Sequence, residues 1–332
     1  MDARLPDGFT TRPAAAADLP ELAALDAAHT RRAVGTALRT ENEIRIEWKA
    51  PTFEPSTDSR IVLSADGAIV GWCEVYDSAP HTQMPTRLRL LPGSDERVAR
   101  VLVSWAVDRA RTGAMDAPAG ERAVMTQGAY EGDPEATVRL EAMGFRYVRS
   151  FLRMRVEMDR QPPAPEWPDG ITVRTLVPGD DDRAAVVALR DAFRDHWGYV
   201  DTPLEEDLEE WRQWIHEDRD FDTDLWFLAT DGNEIAGLCQ CYPFCGEDRT
   251  TGLVDELGVR PPWRRRGLAT ALLRHAFVAF YDRGVPNVEL GVDAESPTGA
   301  TRLYERAGMG LIWKNHVYEL ELRSGRATPP GS

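Results

Sequence analysis

Three segments of this chain occur twice, in the same order and at nearly the same separation. Gly8-Phe9-Thr10-Thr11-Arg12 resembles Gly170-Ile171-Thr172-Val173-Arg174, and Ile61 to Cys73 resembles Phe227 to Cys239. Leu140-Glu141-Ala142-Met143-Gly144-Phe145 resembles Tyr304-Glu305-Arg306-Ala307-Gly308-Met309. The separations are 162, 166 and 164 residues. Ordered matches at a near-constant offset mark a duplicated unit. A chain of 332 residues also has the length for two cores. The sequence therefore predicts two copies of one α/β domain, at 1–159 and 170–323. A Pro-rich linker at 160–169 and a loose tail at 324–332 complete the division.

Each copy opens on a strand, near Thr10 and near Thr172. Helical periodicity follows over Asp182 to Phe193 and Leu204 to Ile215. The Ile61–Cys73 and Phe227–Cys239 segments each read as strand, Asp-Gly turn and strand, a hairpin signal. In the second copy a strand is expected from about Gly252 to Val259. A long helix is expected from Gly267 to Arg283, with Leu268, Leu272, Leu273, Ala276, Phe277 and Phe280 on one face. A strand near Asn287 to Val292 leads to a short helix at Thr298 to Ala307, stopped by Gly308. Aromatic-rich strands, Tyr147 to Met158 and Leu311 to Leu322, close the two copies.

The net charge is −16, so the surface repels nucleic-acid phosphates and suits a cationic acceptor or simple solubility. No run of 18 apolar residues suggests a membrane span, and the first residues do not read as a secretory signal. The expected location is cytoplasmic. Cys239, Cys241 and Cys245 are spaced like metal ligands, but Cys239 and Cys241 alternate in an apolar strand and lack nearby histidines. They read as reduced core thiols alongside Cys73, with no metal expected.

The chemistry concentrates after the strand ending Leu257-Gly258-Val259. Pro261-Pro262 stops it, Arg264-Arg265-Arg266 follow, and Gly267 opens the long helix with Leu268, Ala269 and Thr270. A helix start offers unpaired N–H groups and a positive dipole end. A glycine there lets backbone approach an anion, so the segment reads as a phosphate cradle.

This pattern, Arg264-x-x-Gly267-x-Ala269, resembles the acetyl-CoA signature of the GCN5-related N-acetyltransferase (GNAT) superfamily. Ala300 to Met309 resembles a second family pattern, A-x-x-L-Y-x-x-x-G-F. The resemblance covers about Gly170 to Leu322 well and the first half more weakly. The duplicated arrangement resembles tandem members such as mycothiol synthase. It implies an α/β fold of two tandem GNAT-like domains, each a mixed, mostly antiparallel central sheet flanked by helices. It also implies acetyl-CoA as cosubstrate and a small-molecule primary amine as acceptor, in a monomer or homodimer. A protein or peptide N-acetyltransferase and a non-catalytic CoA-binding regulator are the alternatives.

By the same resemblance, the backbone of Leu257, Gly258 and Val259 pairs with pantetheine, and amides from Arg265 to Thr270 hold the pyrophosphate. Tyr304 protonates the leaving thiolate. The family position that often carries a glutamate is Leu253 here. Asp255 shares its strand face by period-2 alternation and is the candidate base, with Glu256 facing away unless a bulge intervenes. Ser296-Pro297 stands where the family often has Asn, and Ser296 is expected to cap the following helix. Asp195-His196-Trp197-Gly198, Trp211 and Trp214 fall where an acceptor wall is expected, with aromatic packing as the plainer reading. The run Glu205 to Glu210 reads as a solvated face. In the first half, Leu90 to Arg97 lacks the signature, Asp95 and Glu96 stand at the phosphate position, and Leu140 replaces the tyrosine. No productive acetyl-CoA binding is expected there.

Overall fold

The computed structural model describes residues 4–296 and 298–326. In chain order the elements are β1 (Thr10–Arg12), α1 (Leu19–Val34), α2 (Glu41–Glu47), α3 (Pro55–Asp58), β2 (Ser59–Leu63), β3 (Ile69–Val75) and β4 (Gln83–Leu90). Then come α4 (Glu96–Gly113), β5 (Ala123–Tyr130), α5 (Pro134–Ala142) and β6 (Arg146–Glu157). The second series is β7 (Ile171–Thr175), α6 (Asp182–Phe193), α7 (Leu204–Glu217), β8 (Trp226–Asp231), β9 (Glu234–Tyr242) and β10 (Thr251–Val259). It ends with α8 (Leu268–Asp282), β11 (Asn287–Asp293), α9 (Ala300–Arg306) and β12 (Gly310–Arg323). The duplication is thus present strand by strand, the first series carrying one extra short helix, α3, before its hairpin. No described helix is long and apolar enough to cross a membrane.

The chain forms two compact units. One holds the chain up to Ser150 together with the strand residues from Trp313; the other holds Phe151–Ile312. In the first, β1 to β5 follow in order and β5 then pairs with β12, Ala129 facing His316 and Thr126 facing Glu319. In the second, the order from one edge is β7, β8, β9, β10, β11, and β11 then pairs with β6, Val288 facing Val156 and Gly291 facing Arg153. Within each unit the strands pair antiparallel except for one parallel pair, β4 with β5 and β10 with β11. Each unit is therefore finished by a strand from the other half of the chain.

Packing follows the sequence pattern. In the first unit Val98, Leu102 and Ala106 of α4 cover one sheet face with Met84 and Met125. Leu22, Ile44, Trp48 and Trp72 fill the other. In the second, Leu272, Leu273, Ala276, Phe277 and Phe280 of α8 bury against Cys239, Cys241, Val254 and Leu290. Backbone replaces side chain where the helix lies closest: a Cβ on Gly252 would come 2.3 Å from the Phe280 ring. Cys239 and Cys241 share a face as period-2 spacing requires, their sulfurs 3.6 Å apart; all four cysteines are buried and reduced.

One local expectation is corrected. Ser296 does not cap α9: its hydroxyl meets Thr298 Oγ1 at 2.9 Å, and Gly299, in the left-handed region at φ 69°, is the residue at the helix start. A turn in which the Gly299 N–H donates to the Ser296 carbonyl delays the helix. Pro297 and the tail beyond residue 326 lie outside the described residues.

Candidate functional site

In the second unit, β10 and β11 pair from Thr251↔Asn287 to Val254↔Leu290 and no further, although β10 continues to Val259 and β11 to Asp293. Beyond Val254 the two parallel strands have parted. The backbone edges that face each other there lack a ladder partner, and buried backbone groups need one. A slot lined by unspent amides and carbonyls is what an extended chain with its own amides can add itself to.

At the mouth of that slot the chain turns through Arg264–Gly267 into α8. Arg265 and Gly267 both adopt positive φ, 60° and 86°. This conformation turns successive N–H groups to one side, the geometry of an anion nest. α8 starts on Gly267 with no side-chain cap. From Arg265 to Thr270 no backbone N–H has a protein partner among the described residues. Six consecutive unspent donors at a helix start suit a pyrophosphate.

The arginines divide the work. Arg264 is structural: its Nε donates to the Val259 carbonyl at 3.0 Å, its Nη2 to the Ala192 carbonyl at 2.9 Å, and it is ion-paired with Asp195. That ties the turn to the end of α6. Arg265 and Arg266 are exposed, and among the described residues Arg266 reaches only the Asp169 carbonyl at 3.4 Å. Leu268 is buried and anchors the helix, whereas Ala269 and Thr270 are half-buried. Gly258 is packed under α6, where a Cβ would lie 2.9 Å from the Phe193 ring.

Where the strands part, β10 carries a bulge. Val254 faces Cys241 and Glu256 faces Gln240, so Asp255 is the extra residue. Alternation restarts after it, and Glu256 joins the Leu253 face rather than turning away. Strict alternation turns Glu256 away unless a bulge intervenes, and a one-residue slip leaves no mark in composition. The result is two adjacent carboxylates, neither with a hydrogen bond or ion pair among the described residues. Burial, then the neighbouring Asp255 charge, raises the Glu256 carboxyl to about 8. Asp255 is raised by burial too, offset by the Arg153 charge. It is nonetheless open to solvent. Water can therefore reach a carboxylate whose surroundings limit its hydration. Tyr304, on α9, is buried, and its hydroxyl is held well above the ordinary tyrosine range by burial, then by Cys239 and Glu256. It stays protonated at any physiological pH.

Other flagged residues have structural work. Trp211 donates to Asp182 at 3.2 Å and packs edge-on against Trp226, centroids 5.2 Å apart; Trp214 donates to the Tyr242 hydroxyl. Glu205 and Asp207 pair with Arg183 and Arg190 of α6, so the acidic run clamps two helices. His196 packs tilted against Phe193 with centroids 4.7 Å apart, its charge disfavoured by burial. Trp197 lies against Phe151.

The first unit has the same parting of strands, β4 and β5 pairing only from Gln83↔Val124 to Thr86↔Gln127. Its contents differ. Gly71↔Leu90 matches Gly237↔Val259, which puts Arg89 at the position of Gly258 and Arg87 at that of Glu256. Arg89 donates to Asp26 at 2.6 Å, and Arg39 meets the same oxygen at 2.8 Å. Arg87 pairs with Glu47 at 2.8 Å and donates to Tyr76, while the Trp48 indole donates to Glu74. A buried ion network thus takes the face that is open in the second unit. Asp95 caps α4 by accepting from the Arg97 N–H at 2.8 Å, spending a donor that a phosphate needs. Leu140 is fully buried in place of the tyrosine.

The chain is similar to known proteins along most of its length. Residues 186–309 match the model of the acetyltransferase (GNAT) family. A protein of Geodermatophilus obscurus named mycothiol acetyltransferase is 30% identical over 301 residues, covering 87% of this chain and 88% of that protein. The crystal structure of a GCN5-related N-acetyltransferase from Sphaerobacter thermophilus superposes with a TM-score of 0.78 at 32% identity, covering 98% and 99% of the two chains. A tandem GNAT protein from the clavulanic acid biosynthesis pathway shares the fold at TM-score 0.71 and 16% identity, covering 96% of this chain and all of that one. Matched along most of its length by these relatives, the chain belongs to the GNAT acetyltransferase family, as an acyl-CoA-dependent N-acyltransferase of two tandem GNAT domains.

Proposed function

We propose that the second unit alone is catalytic, moving an acetyl group from acetyl-CoA to a primary amine of a small molecule. The observation that carries this is the row of unspent amides from Arg265 to Thr270 at the mouth of the parted strands, against a capped helix and a filled face in the first unit. The loop and α8 amides hold the pyrophosphate, with Arg265 and Arg266 adding charge. The backbone of Leu257, Gly258 and Val259 pairs with pantetheine, and an amide there polarises the thioester carbonyl.

The amine must attack without its proton. Glu256 is the better-matched acceptor, because a carboxyl near 8 lies several units closer to an alkylammonium, at about 10.4, than an ordinary carboxylate does. Asp255, beside it, orients the ammonium and shares the titration. Tyr304, kept protonated by its burial, donates to the departing thiolate. Mycothiol acetyltransferase as the name of several relatives supports a small-molecule acceptor over a protein.

The test is a mass-spectrometric screen of amines, including mycothiol precursors, with acetyl-CoA. An acetylated product whose formation is lost in Gly267→Asp supports the reading. CoA binding without turnover on any amine or peptide would favour a regulatory protein, a reading that Leu253 at the family's glutamate position keeps in play.

A further inference from the structure

The first unit contains a cavity of about 170 Å³ where its counterpart carries the arginine turn. It lies between the end of α1, the β4–α4 loop and the starts of α4 and α5. At about 30 Å³ per water it has room for five or six waters, the volume of a small amino acid.

Its walls carry both signs of charge. Arg139 is 6% exposed; Nε and Nη2 donate to Glu96 at 2.8 and 3.2 Å, and Nη1 has no partner among the described residues. His29 accepts from the Leu90 N–H through Nδ1 at 3.4 Å, which leaves the proton of the neutral ring on Nε2, and Nε2 likewise has no partner among the described residues. Burial keeps the ring neutral, so it presents a hydrogen-bonding group without charge. Asp133 uses one oxygen to accept from Ala136 N–H at 3.3 Å and leaves the other unspent. At the rim Arg32 and Glu135 face each other at 3.6 Å, both more than half exposed, a pair weak enough for a ligand to part.

A lone anion here meets Glu96, Asp133 and Glu135. A lone cation leaves the Arg139 donor unsatisfied. A molecule bearing both charges a few bonds apart satisfies each: its carboxylate on Arg139 Nη1, His29 and Arg32, its ammonium on Asp133 and Glu135. We propose that this cavity is a binding site for a small zwitterion of the α-amino acid class, separate from the acyl-CoA site of the second unit.

The experiment is calorimetric titration of the full chain with L-serine, using ethanolamine and glycolate as single-charge controls. Arg32→Ala removes a rim cation, and Ala33→Leu fills the cavity from α1. Both lie outside the catalytic machinery, so an unchanged transfer rate shows that they fold. L-serine is expected to saturate, with both controls and Ala33→Leu at least ~10-fold weaker, and Arg32→Ala several-fold weaker. Absence of serine binding, equal binding of either control, or affinity unmoved by both variants would overturn the proposal.

Discussion

Replacing Glu256 by Gln separates the two consequences of its raised carboxyl. The shift from 4.5 to about 8 corresponds, at about 1.4 kcal/mol per unit, to at most about 5 kcal/mol against ionising the group in the fold. Solvent at this half-buried side chain will reduce that figure. The folded value lies above the unfolded one. Stability from this group is therefore complete below about 4.5 and is lost as the pH rises through about 8. Glutamine keeps the shape of the neutral acid and cannot ionise. Denaturant unfolding at about pH 5 and pH 9 should show the wild type losing stability that the variant retains, by up to a few kcal/mol. The same substitution removes the proton acceptor. Acetyl transfer, followed by CoA release, should fall by ~10²–10⁴ in kcat/KM, and the limb that rises towards pH 8 should vanish. A variant within about threefold of wild type, with the same limb, would refute Glu256 as the acceptor and turn attention to Asp255→Asn.

Gly267→Asp should cap α8 as Asp95 caps α4 and, at φ 86°, strain the turn; calorimetry should show at least ~10-fold weaker CoA binding by a folded protein. Tyr304→Phe should lower kcat by ~10²-fold while CoA affinity stays within about twofold, as read by steady-state kinetics and titration. Gly252→Ala, which meets the Phe280 ring on the side of β10 away from the carboxylates, should cost ~1–3 kcal/mol in denaturant unfolding without changing KM.

Much of this was legible before any coordinates. The repeats fixed the element order, and the α6, β10 and α8 boundaries fall within a residue or so of their periodic signals. The Arg-Gly turn was readable because its chemistry is local: donors, a glycine and a helix start in consecutive residues. What escaped depends on pairing. The bulge at Asp255 is set by how β9 meets β10, and it alone brings Glu256 onto the Leu253 face. Arg264 looked like a phosphate ligand because nothing nearby in sequence announces Asp195 or the Ala192 carbonyl as its partners. In the first unit Asp95 stands at the phosphate position in the sequence, and only the placement of α4 shows that it spends a helix donor there.

The exchanged strands bear on how such a protein can be made. β12 brings Tyr318, Leu320 and Leu322 to the core formed by α4, β3 and β4, yet it is synthesised only after every other element of the second half. The first unit must therefore wait, its β5 edge unpaired, while the whole second half is synthesised. Cutting within the linker yields two polypeptides, neither holding all the strands of one sheet. The unit of heredity in this chain is the half; the unit of folding is the whole.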